Sequence, residues 1–186
     1  MRIITGRAKG LHLKTPKNFS TRPTADRVKE SLFSILGGLI NFSEVNLVLD
    51  IFAGTGALGL EAISRGASSA IFIDNATAEI IRENISRTKF ESCNVLRGDF
   101  EKILLKLTKQ NLAFDLIFSD PPYAKGLAQK SLDLVAEKNL LVKGGLMIIE
   151  HGATEILDAP INFQLIRKIT YGHTTAVTIF ERKASP

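Results

Sequence analysis

Hydrophobic and polar positions along the chain follow two alternating patterns. Compact apolar runs, typical of buried strands, cover 47–52, 70–74, 94–96, 114–119 and 146–150. Between these runs, apolar residues repeat at helical spacing over 58–65, 76–89, 101–108 and 127–138. The runs 116–118 and 147–149 are apolar on both faces, as strands of a parallel sheet covered by helices must be. The pattern predicts a doubly wound α/β fold with a mostly parallel sheet.

The two ends of the chain depart from this alternation. Strand-like segments 163–170 and 175–181 are separated by only four residues, which predicts an antiparallel hairpin at the sheet edge. Residues 2–14 alternate loosely around Gly6 and Gly10, which predicts another short hairpin. From Thr24, helical spacing predicts a helix that stops at Gly37-Gly38. We therefore expect an N-terminal arm over 1–23 and an α/β domain over 24–186.

The composition is that of an ordinary globular protein. Of the 186 residues, 45% are apolar and 23% are charged, which excludes a disordered, collagen-like or coiled-coil chain. No apolar run approaches the ~20 residues that a membrane helix needs. The single cysteine cannot form an internal disulfide, and the first residues carry no apolar leader. We therefore expect a cytoplasmic protein with no membrane partner.

The net charge of +5 is concentrated in the arm. Residues 1–30 carry eight basic and two acidic side chains, a net of +6, so the remaining 156 residues are at −1. Such a segment suits a phosphate backbone, because each neutralised phosphate releases counterions. A merely solvated terminal segment explains the charge equally well. The candidate phosphate-binding cations are Arg2, Arg7, Lys9, Lys14, Arg22 and Arg27.

A glycine-rich segment lies between the first predicted strand and the helix that follows it. Gly54, Gly56 and Gly59 satisfy the G-x-G-x-x-G pattern, and Asp74 ends the next strand, where an acid can bond ribose hydroxyls. Glycines let a ligand approach the backbone at a helix N-terminus. Asp50 would repel a pyrophosphate but can bond an ammonium, so S-adenosylmethionine fits better than NAD. A tight turn without a ligand is the alternative.

A second candidate site, Asp120, Pro121, Pro122 and Tyr123, follows the fourth predicted strand. Ligands of open α/β sheets bind at the carboxyl ends of the strands. A nucleobase amine is a poor nucleophile because its lone pair is delocalised into the ring. If Asp120 and the Pro121 carbonyl accept its two N–H bonds, the lone pair can turn toward an electrophile, while Tyr123 stacks on the base. The alternative is a rigid Pro-Pro turn with an exposed tyrosine.

Asp99 and Phe100 form a third, weaker candidate at the end of the third predicted strand. Asp99 can accept an adenine amino group and Phe100 can lie near the ring. An N-cap before Glu101 explains the aspartate equally well. The three histidines are scattered and no Cys/His spacing predicts a metal, so we expect none.

Together, these residues resemble the RsmD family of bacterial 16S ribosomal RNA methyltransferases over nearly the whole chain. The matching segments are 2–4 with 9–10, 22–24 with 26–28, 49–66, 120–123, 150–151, and 171–172 with Thr174. The resemblance implies a class I, Rossmann-like methyltransferase fold with seven strands. It also implies S-adenosyl-L-methionine as cofactor, and as substrate the N2 amine of a guanine in 16S ribosomal RNA within a small-subunit particle. His173 departs from the lysine expected in the family's Tyr-Gly-x-Thr turn.

The same resemblance gives each candidate residue a role. Asp50 and the glycines hold the methionine end, Asp74 the ribose, Asp99 and Phe100 the adenine, and 120–123 the target base. The cations of the arm would bind RNA. The expected cofactor-binding residues are Asp50, Phe52, Ala53, Gly54, Thr55, Gly56, Asp74, Asn75, Asp99 and Phe100.

Three other functions stay open on the sequence alone. A nucleic-acid adenine-N6 methyltransferase shares both motifs, although this short chain has no separate target-reading domain. An NAD-dependent oxidoreductase is favoured by the glycine pattern and opposed by Asp50. A non-catalytic RNA-binding module would bind RNA and transfer no methyl group.

Overall fold

The computed structural model describes residues 1–16, 23–123 and 125–184. Helices α1 to α5 are Pro23–Leu39, Ala57–Arg65, Ala78–Thr88, Phe100–Lys109 and Leu127–Glu137, and a short 3-10 helix covers Phe42–Glu44. Strands β1 to β7 are Leu47–Ile51, Ser69–Asp74, Cys93–Arg97, Phe114–Ser119, Leu141–Gly152, Phe163–Tyr171 and Thr175–Arg182. The sheet order over this described part is β3-β2-β1-β4-β5-β7-β6. The predicted α/β fold with seven strands is confirmed.

The first compact unit, Met1–Arg97, is built on three parallel strands. β2 pairs with β1 on one side and with β3 on the other. Because helices pack against this part of the sheet, β1 and β2 are apolar and almost wholly buried. The core of the unit includes Phe33, whose ring stacks on that of Phe42 with a centroid distance of 5.7 Å.

The second unit, Gly98–Pro186, joins parallel and antiparallel pairs. β4 and β5 are parallel, whereas β7 runs antiparallel to both β5 and β6. The C-terminal hairpin predicted from the sequence is confirmed, with β6 at the edge of the sheet. Phe114, Phe118 and Phe180 are fully buried and form much of the core here.

Two element boundaries predicted from the sequence are wrong. α1 continues through Gly37-Gly38 to Leu39, because helical glycine costs only about 1 kcal/mol and Leu36 of this helix is fully buried. β5 begins at Leu141 rather than at 146. A register shift between β4 and β5 accommodates the residues between Leu141 and Leu146, which include Gly144 and Gly145.

The described part of the arm, residues 1–16, folds back on itself as predicted but with little strand pairing. Arg2 and His12 form an isolated antiparallel bridge. The Ile3 N–H donates to the Leu11 carbonyl at 2.9 Å. Ile3 and Leu13 are buried, so this part of the arm contributes to the core of the first unit.

Glu61 of α2 fixes the arm in place. Its fully buried carboxylate accepts the N–H groups of Ile4 and Thr5 at 2.7 and 3.0 Å. It also pairs with Arg65 at 2.9 Å and with Lys29 at 3.3 Å. A buried carboxylate is tolerated only with such partners, because its desolvation costs several kcal/mol. The arm and α2 therefore depend on each other for stability.

Candidate functional site

The glycine loop, residues 52–56, connects β1 to α2 through backbone conformations that favour glycine. Gly54 and Gly56 have φ values of 57° and 77°. Phe52 also has a positive φ, 59°, which is strained for a bulky side chain and is typical of functional loops. Gly56 caps α2 without a side-chain hydrogen bond. Helix N-terminal N–H groups without a side-chain cap favour a carboxylate, so this loop suits the acidic end of an amino-acid ligand.

Asp50 lies on β1 directly before this loop and is 2% exposed. Its Oδ2 accepts the Gly59 N–H at 2.9 Å. Gly59 leaves no room for a side chain, since a Cβ there would lie 2.4 Å from the Phe72 ring. Burial raises the pKa of Asp50 to about 8, against the lowering effect of the Gly59 bond. The group is therefore a protonated acid near neutral pH, and an adjacent ammonium would ionise it.

Asp74, at the end of β2, binds the glycine loop directly. One carboxylate oxygen accepts the Gly54 N–H at 3.0 Å. The other accepts the N–H groups of Ala76 and Thr77 at 2.8 Å each, at the start of α3. The structure thus brings Asp74 and the loop together, as the motif predicts. Asn75 is exposed beside it, and its carbonyl accepts the Arg97 Nε–H at 3.2 Å.

Asn84 of α3 connects the loop to the arm, and sequence reasoning missed it. Its buried amide Nδ2 donates to the Thr55 carbonyl at 2.9 Å and to the Lys14 carbonyl at 3.0 Å. Its Oδ1 accepts the Lys14 N–H at 2.7 Å. A signal was present, because this polar residue lies three positions after Ile81 on the apolar face of the helix. A buried side-chain amide is stable when its polar atoms are hydrogen-bonded, as they are here to two backbone segments.

Asp99 and Phe100 begin the second unit. The Asp99 side chain accepts the Lys102 N–H at 3.1 Å and so caps α4, as the N-cap interpretation predicts. Phe100 is 7% exposed. The adenine contacts implied by the resemblance stay a prediction for both residues.

The Asp-Pro-Pro-Tyr motif follows the end of β4, as predicted. Asp120 and Pro122 are exposed, while Pro121 is buried. Ser119, the last residue of β4, is buried and lies 2.9 Å from Ser131 of α5 through their hydroxyls. A rigid, half-buried loop with an exposed carboxylate at its start is suited to accept N–H bonds from a planar amine.

Two further residues of the second unit reach the motif, and neither was predicted. The Tyr123 hydroxyl donates to Glu150 Oε1 at 2.6 Å and lies 3.1 Å from Thr175 Oγ1. Burial raises the pKa of Glu150. Burial, and then the bond to Glu150, raise the pKa of Tyr123 well above its ordinary value. The sequence signals for Glu150 are its position at the end of the apolar run of β5 and its place in one of the segments that resemble the family.

The described candidate RNA-binding cations are Arg2, Arg7, Lys9 and Lys14 of the arm and Arg27 of α1, and all five are exposed. Arg7 donates to the Ile63 carbonyl at 3.1 Å and covers the Phe90 ring at 5.2 Å. Lys14 pairs with Glu83 at 2.5 Å. Arg22 lies outside the described residues.

Lys29 is one of the eight basic residues within 1–30, but its side chain is buried. It is 3% exposed, and its Nζ donates to the Arg2 carbonyl at 2.5 Å beside Glu61. Burial lowers the pKa of Lys29, while Glu61 opposes that shift. The charge that faces solvent is therefore smaller than the sequence count.

The described residues include neither a metal-binding cluster nor a helix that could span a membrane. Among residues 1–16, 23–123 and 125–184, no three His, Cys, Asp or Glu side chains are arranged to hold a metal. None of the helices in the same ranges has the length and apolar character needed to cross a membrane.

The chain is similar to known proteins over almost its whole length. The family model described as "Conserved hypothetical protein 95" matches residues 1–180. The ribosomal RNA small subunit methyltransferase D of Haemophilus influenzae is 36% identical over 92% of this chain and 89% of its own length.

Solved structures give the same result for the fold. The structure of yhhF from Escherichia coli, described as a presumed methyltransferase, is 31% identical, with a TM-score of 0.86 over 100% of this chain and 99% of its own. SMU.776, a presumed methyltransferase complexed with SAH, is 16% identical with a TM-score of 0.64. It matches 83% of this chain and 48% of its own length, and shares the fold.

Proposed function

The chain belongs to the RsmD family of ribosomal RNA methyltransferases, and from that premise we propose that it methylates the N2 amine of one guanine in 16S ribosomal RNA. The methyl donor is S-adenosyl-L-methionine. The observation that carries the proposal is the Asp-Pro-Pro-Tyr motif directly after a parallel strand, with Asp120 exposed and Pro121 buried. Family membership removes the nicotinamide-dependent oxidoreductase from consideration.

The glycine loop and its neighbours fit the cofactor. Gly54 and Gly56 have positive φ values, which favour glycine. Because glycine has no side chain, a ligand can approach the backbone at the start of α2. Asp50 is a buried acid that an ammonium would ionise, and Asp74 has a carboxylate at the carboxyl end of β2 for ribose hydroxyls. When bound, the cofactor supplies an electrophilic methyl group on a sulfonium.

The second unit supplies the groups that act on the amine. Asp120 and the Pro121 carbonyl accept its two N–H bonds, which frees the nitrogen lone pair from the ring. Asp120 also stabilises the positive charge that grows on nitrogen and takes the proton late. Tyr123 stacks on the base, which must first leave its own stack. No dedicated general base is required, because a sulfonium methyl is already electrophilic.

The arm, residues 1–23, binds the RNA, and residues 24–186 carry the transfer chemistry. Phosphates are contacted by Arg2, Arg7, Lys9, Lys14 and Arg22 of the arm and by Arg27 near the start of α1. The substrate is 16S ribosomal RNA within a small-subunit particle, and the compartment is the cytoplasm.

Methyl transfer from tritiated S-adenosylmethionine tests the function. The substrates are naked 16S ribosomal RNA and small-subunit particles, both from a strain that lacks the endogenous activity, and the labelled nucleotide is mapped. N2-methylguanine at one position is expected. Label on an adenine N6 would replace the proposal with the rival methyltransferase, and RNA binding without transfer would make the chain a binding module.

Asp120→Ala is the decisive variant. We expect transfer to be abolished while the affinity for S-adenosylhomocysteine changes by no more than about threefold, since Asp120 acts on the amine and not on the cofactor. Asp158→Ala is the matched control, because Asp158 is exposed and bonds Gln129 through its backbone. Near-normal turnover of Asp120→Ala would remove this residue from the mechanism.

A further inference from the structure

The Tyr123 side chain is held at both ends. Its backbone belongs to the rigid motif after β4, and its hydroxyl meets β5 and β7. The hydroxyl proton goes to the Glu150 carboxylate, which only accepts, so the Thr175 hydroxyl donates to the Tyr123 oxygen. We propose that Glu150 and Thr175 are positioning residues, which hold the Tyr123 ring as a fixed platform for the target base. The proposal rests on the function proposed above.

Both partners lie on paired strands of the second unit, Glu150 on β5 and Thr175 on β7. β5 and β7 pair antiparallel over seven residue positions, with Glu150 opposite Val177 and Gly152 opposite Thr175. Hydrogen bonds to groups on such a ladder restrict the hydroxyl more than bonds to a loop would. The orientation of the ring is thereby set by the sheet and not by the motif alone.

The position of Glu150 favours this role over a solvated surface carboxylate. It directly follows Met147, Ile148 and Ile149, which are buried. Burial raises the pKa of Glu150, so keeping a carboxylate here has a cost in free energy that the Tyr123 bond offsets. The next residue, His151, takes no part, because its ring is buried and bonds Thr178 at 2.7 Å.

A fixed ring matters for the transfer step more than for binding. Base stacking on an aromatic ring tolerates any base, because every base has a π-face. The transfer step depends far more strongly on position, because a displacement of the reacting atoms by about 1 Å can lower the rate about a hundredfold. Release of the Tyr123 hydroxyl should therefore lower kcat and leave cofactor binding unchanged.

Steady-state kinetics on the full chain test the role, with small-subunit particles from a strain that lacks the endogenous activity as the substrate. Tyr123→Phe, Glu150→Ala and Thr175→Val should each lower kcat by about ten- to a hundredfold, with the KM for S-adenosylmethionine within about twofold of the unmodified protein. The Tyr123→Phe/Glu150→Ala double variant should be no worse than the poorer single variant, because both remove one interaction. Glu150→Gln should recover most of the rate, since its amide oxygen still accepts the bond.

Glu181→Ala is the matched control. Glu181 is a carboxylate at the other end of β7 that bonds Gln164 at 2.5 Å, and its loss should leave kcat unchanged. Two results would overturn the proposal: additive losses in the double variant, or a Glu150→Gln variant as poor as Glu150→Ala.

A spectroscopic measurement distinguishes failure of this inference from failure of the proposed function. The chain has two tyrosines and no tryptophan, so Tyr123 is the sole phenol in a Tyr171→Phe background. Phenolate absorbance should then stay low at pH values where an ordinary tyrosine, with a pKa of about 10, ionises. Adding Glu150→Ala should bring the titration back toward that value. If the hydroxyl titrates normally in both proteins, the platform is absent whatever the enzyme methylates.

Discussion

The buried carboxyl of Asp50 makes cofactor affinity dependent on pH. Its pKa is raised to about 8, so below that pH the ammonium of a ligand must displace a proton to obtain a carboxylate partner. Binding therefore releases a proton. We expect the affinity for S-adenosylhomocysteine to rise by up to about tenfold per pH unit from about pH 6 and to level off near the pKa.

Calorimetry at pH 6, 7 and 8, repeated in buffers of different ionisation enthalpy, measures both the affinity and the proton released. Asp50→Asn is the control, because its amide oxygen can still accept the Gly59 N–H but does not titrate. An affinity that does not depend on pH in the unmodified protein would remove Asp50 from contact with the ammonium.

Asp74 is expected to stabilise cofactor binding in two ways. It holds the glycine loop through Gly54, and it is the expected ribose ligand. Asp74→Ala should weaken S-adenosylhomocysteine binding by ~1–3 kcal/mol, the size of a lost charge-assisted hydrogen bond. Asp74→Asn keeps one carbonyl acceptor, so its affinity for S-adenosylhomocysteine should fall by less. Unchanged calorimetric affinity in the alanine variant would contradict the ribose assignment.

At this scale, the sequence predicts residues that belong to local motifs and misses those that act across the fold. The glycine loop and Asp74 are found because a strand, a turn and the next strand end have a fixed spacing. Glu150 and Thr175 have no such spacing from Tyr123. Only strand pairing brings these residues to the same hydroxyl, and one sequence does not specify register.

Among the elements, the sequence is most informative where periodicity is long and least informative at glycines. The apolar run of β4 is predicted to the residue, because both of its faces are buried. The glycine pair in α1 is predicted to end that helix, and β5 is predicted to begin only at 146, yet both elements continue through their glycines. Burial of the neighbouring apolar residues outweighs the local preference of glycine, and that balance depends on tertiary packing.

The link between the arm and the glycine loop can be tested at Asn84 of α3. Asn84→Ala leaves the Thr55 carbonyl and both backbone groups of Lys14 without this partner. We expect the free energy of unfolding to fall by about 1–3 kcal/mol, and the affinity for S-adenosylhomocysteine to fall as well. Chemical denaturation and calorimetry measure the two effects. Asn94→Ala, at an exposed position of β3, is the control, and an equal loss of cofactor affinity there would refute the link.

For the whole molecule, the distribution of charge matters more than its sum. The whole chain has a net charge of +5, and its first thirty residues alone have a net charge of +6. Lys29 is buried against Glu61, and Lys14 pairs with Glu83. Among the described residues of this segment, Arg2, Arg7, Lys9, Lys14 and Arg27 are exposed and present positive charge to solvent.

The salt dependence of RNA binding tests whether this charge contacts phosphate. Replacing Arg2, Lys9 and Arg27 by glutamine should weaken binding to 16S ribosomal RNA and lower the slope of log affinity against log salt by ~0.7–0.9 per lost contact. Cofactor affinity should stay unchanged, because these three residues are not among those proposed to hold the cofactor. The matched control replaces Lys102, Lys106 and Lys109, which are exposed on α4, by glutamine. This variant has the same change in net charge. If the arm only covers the first unit, both triple variants will keep the original slope, since a structural segment exchanges no counterions with RNA.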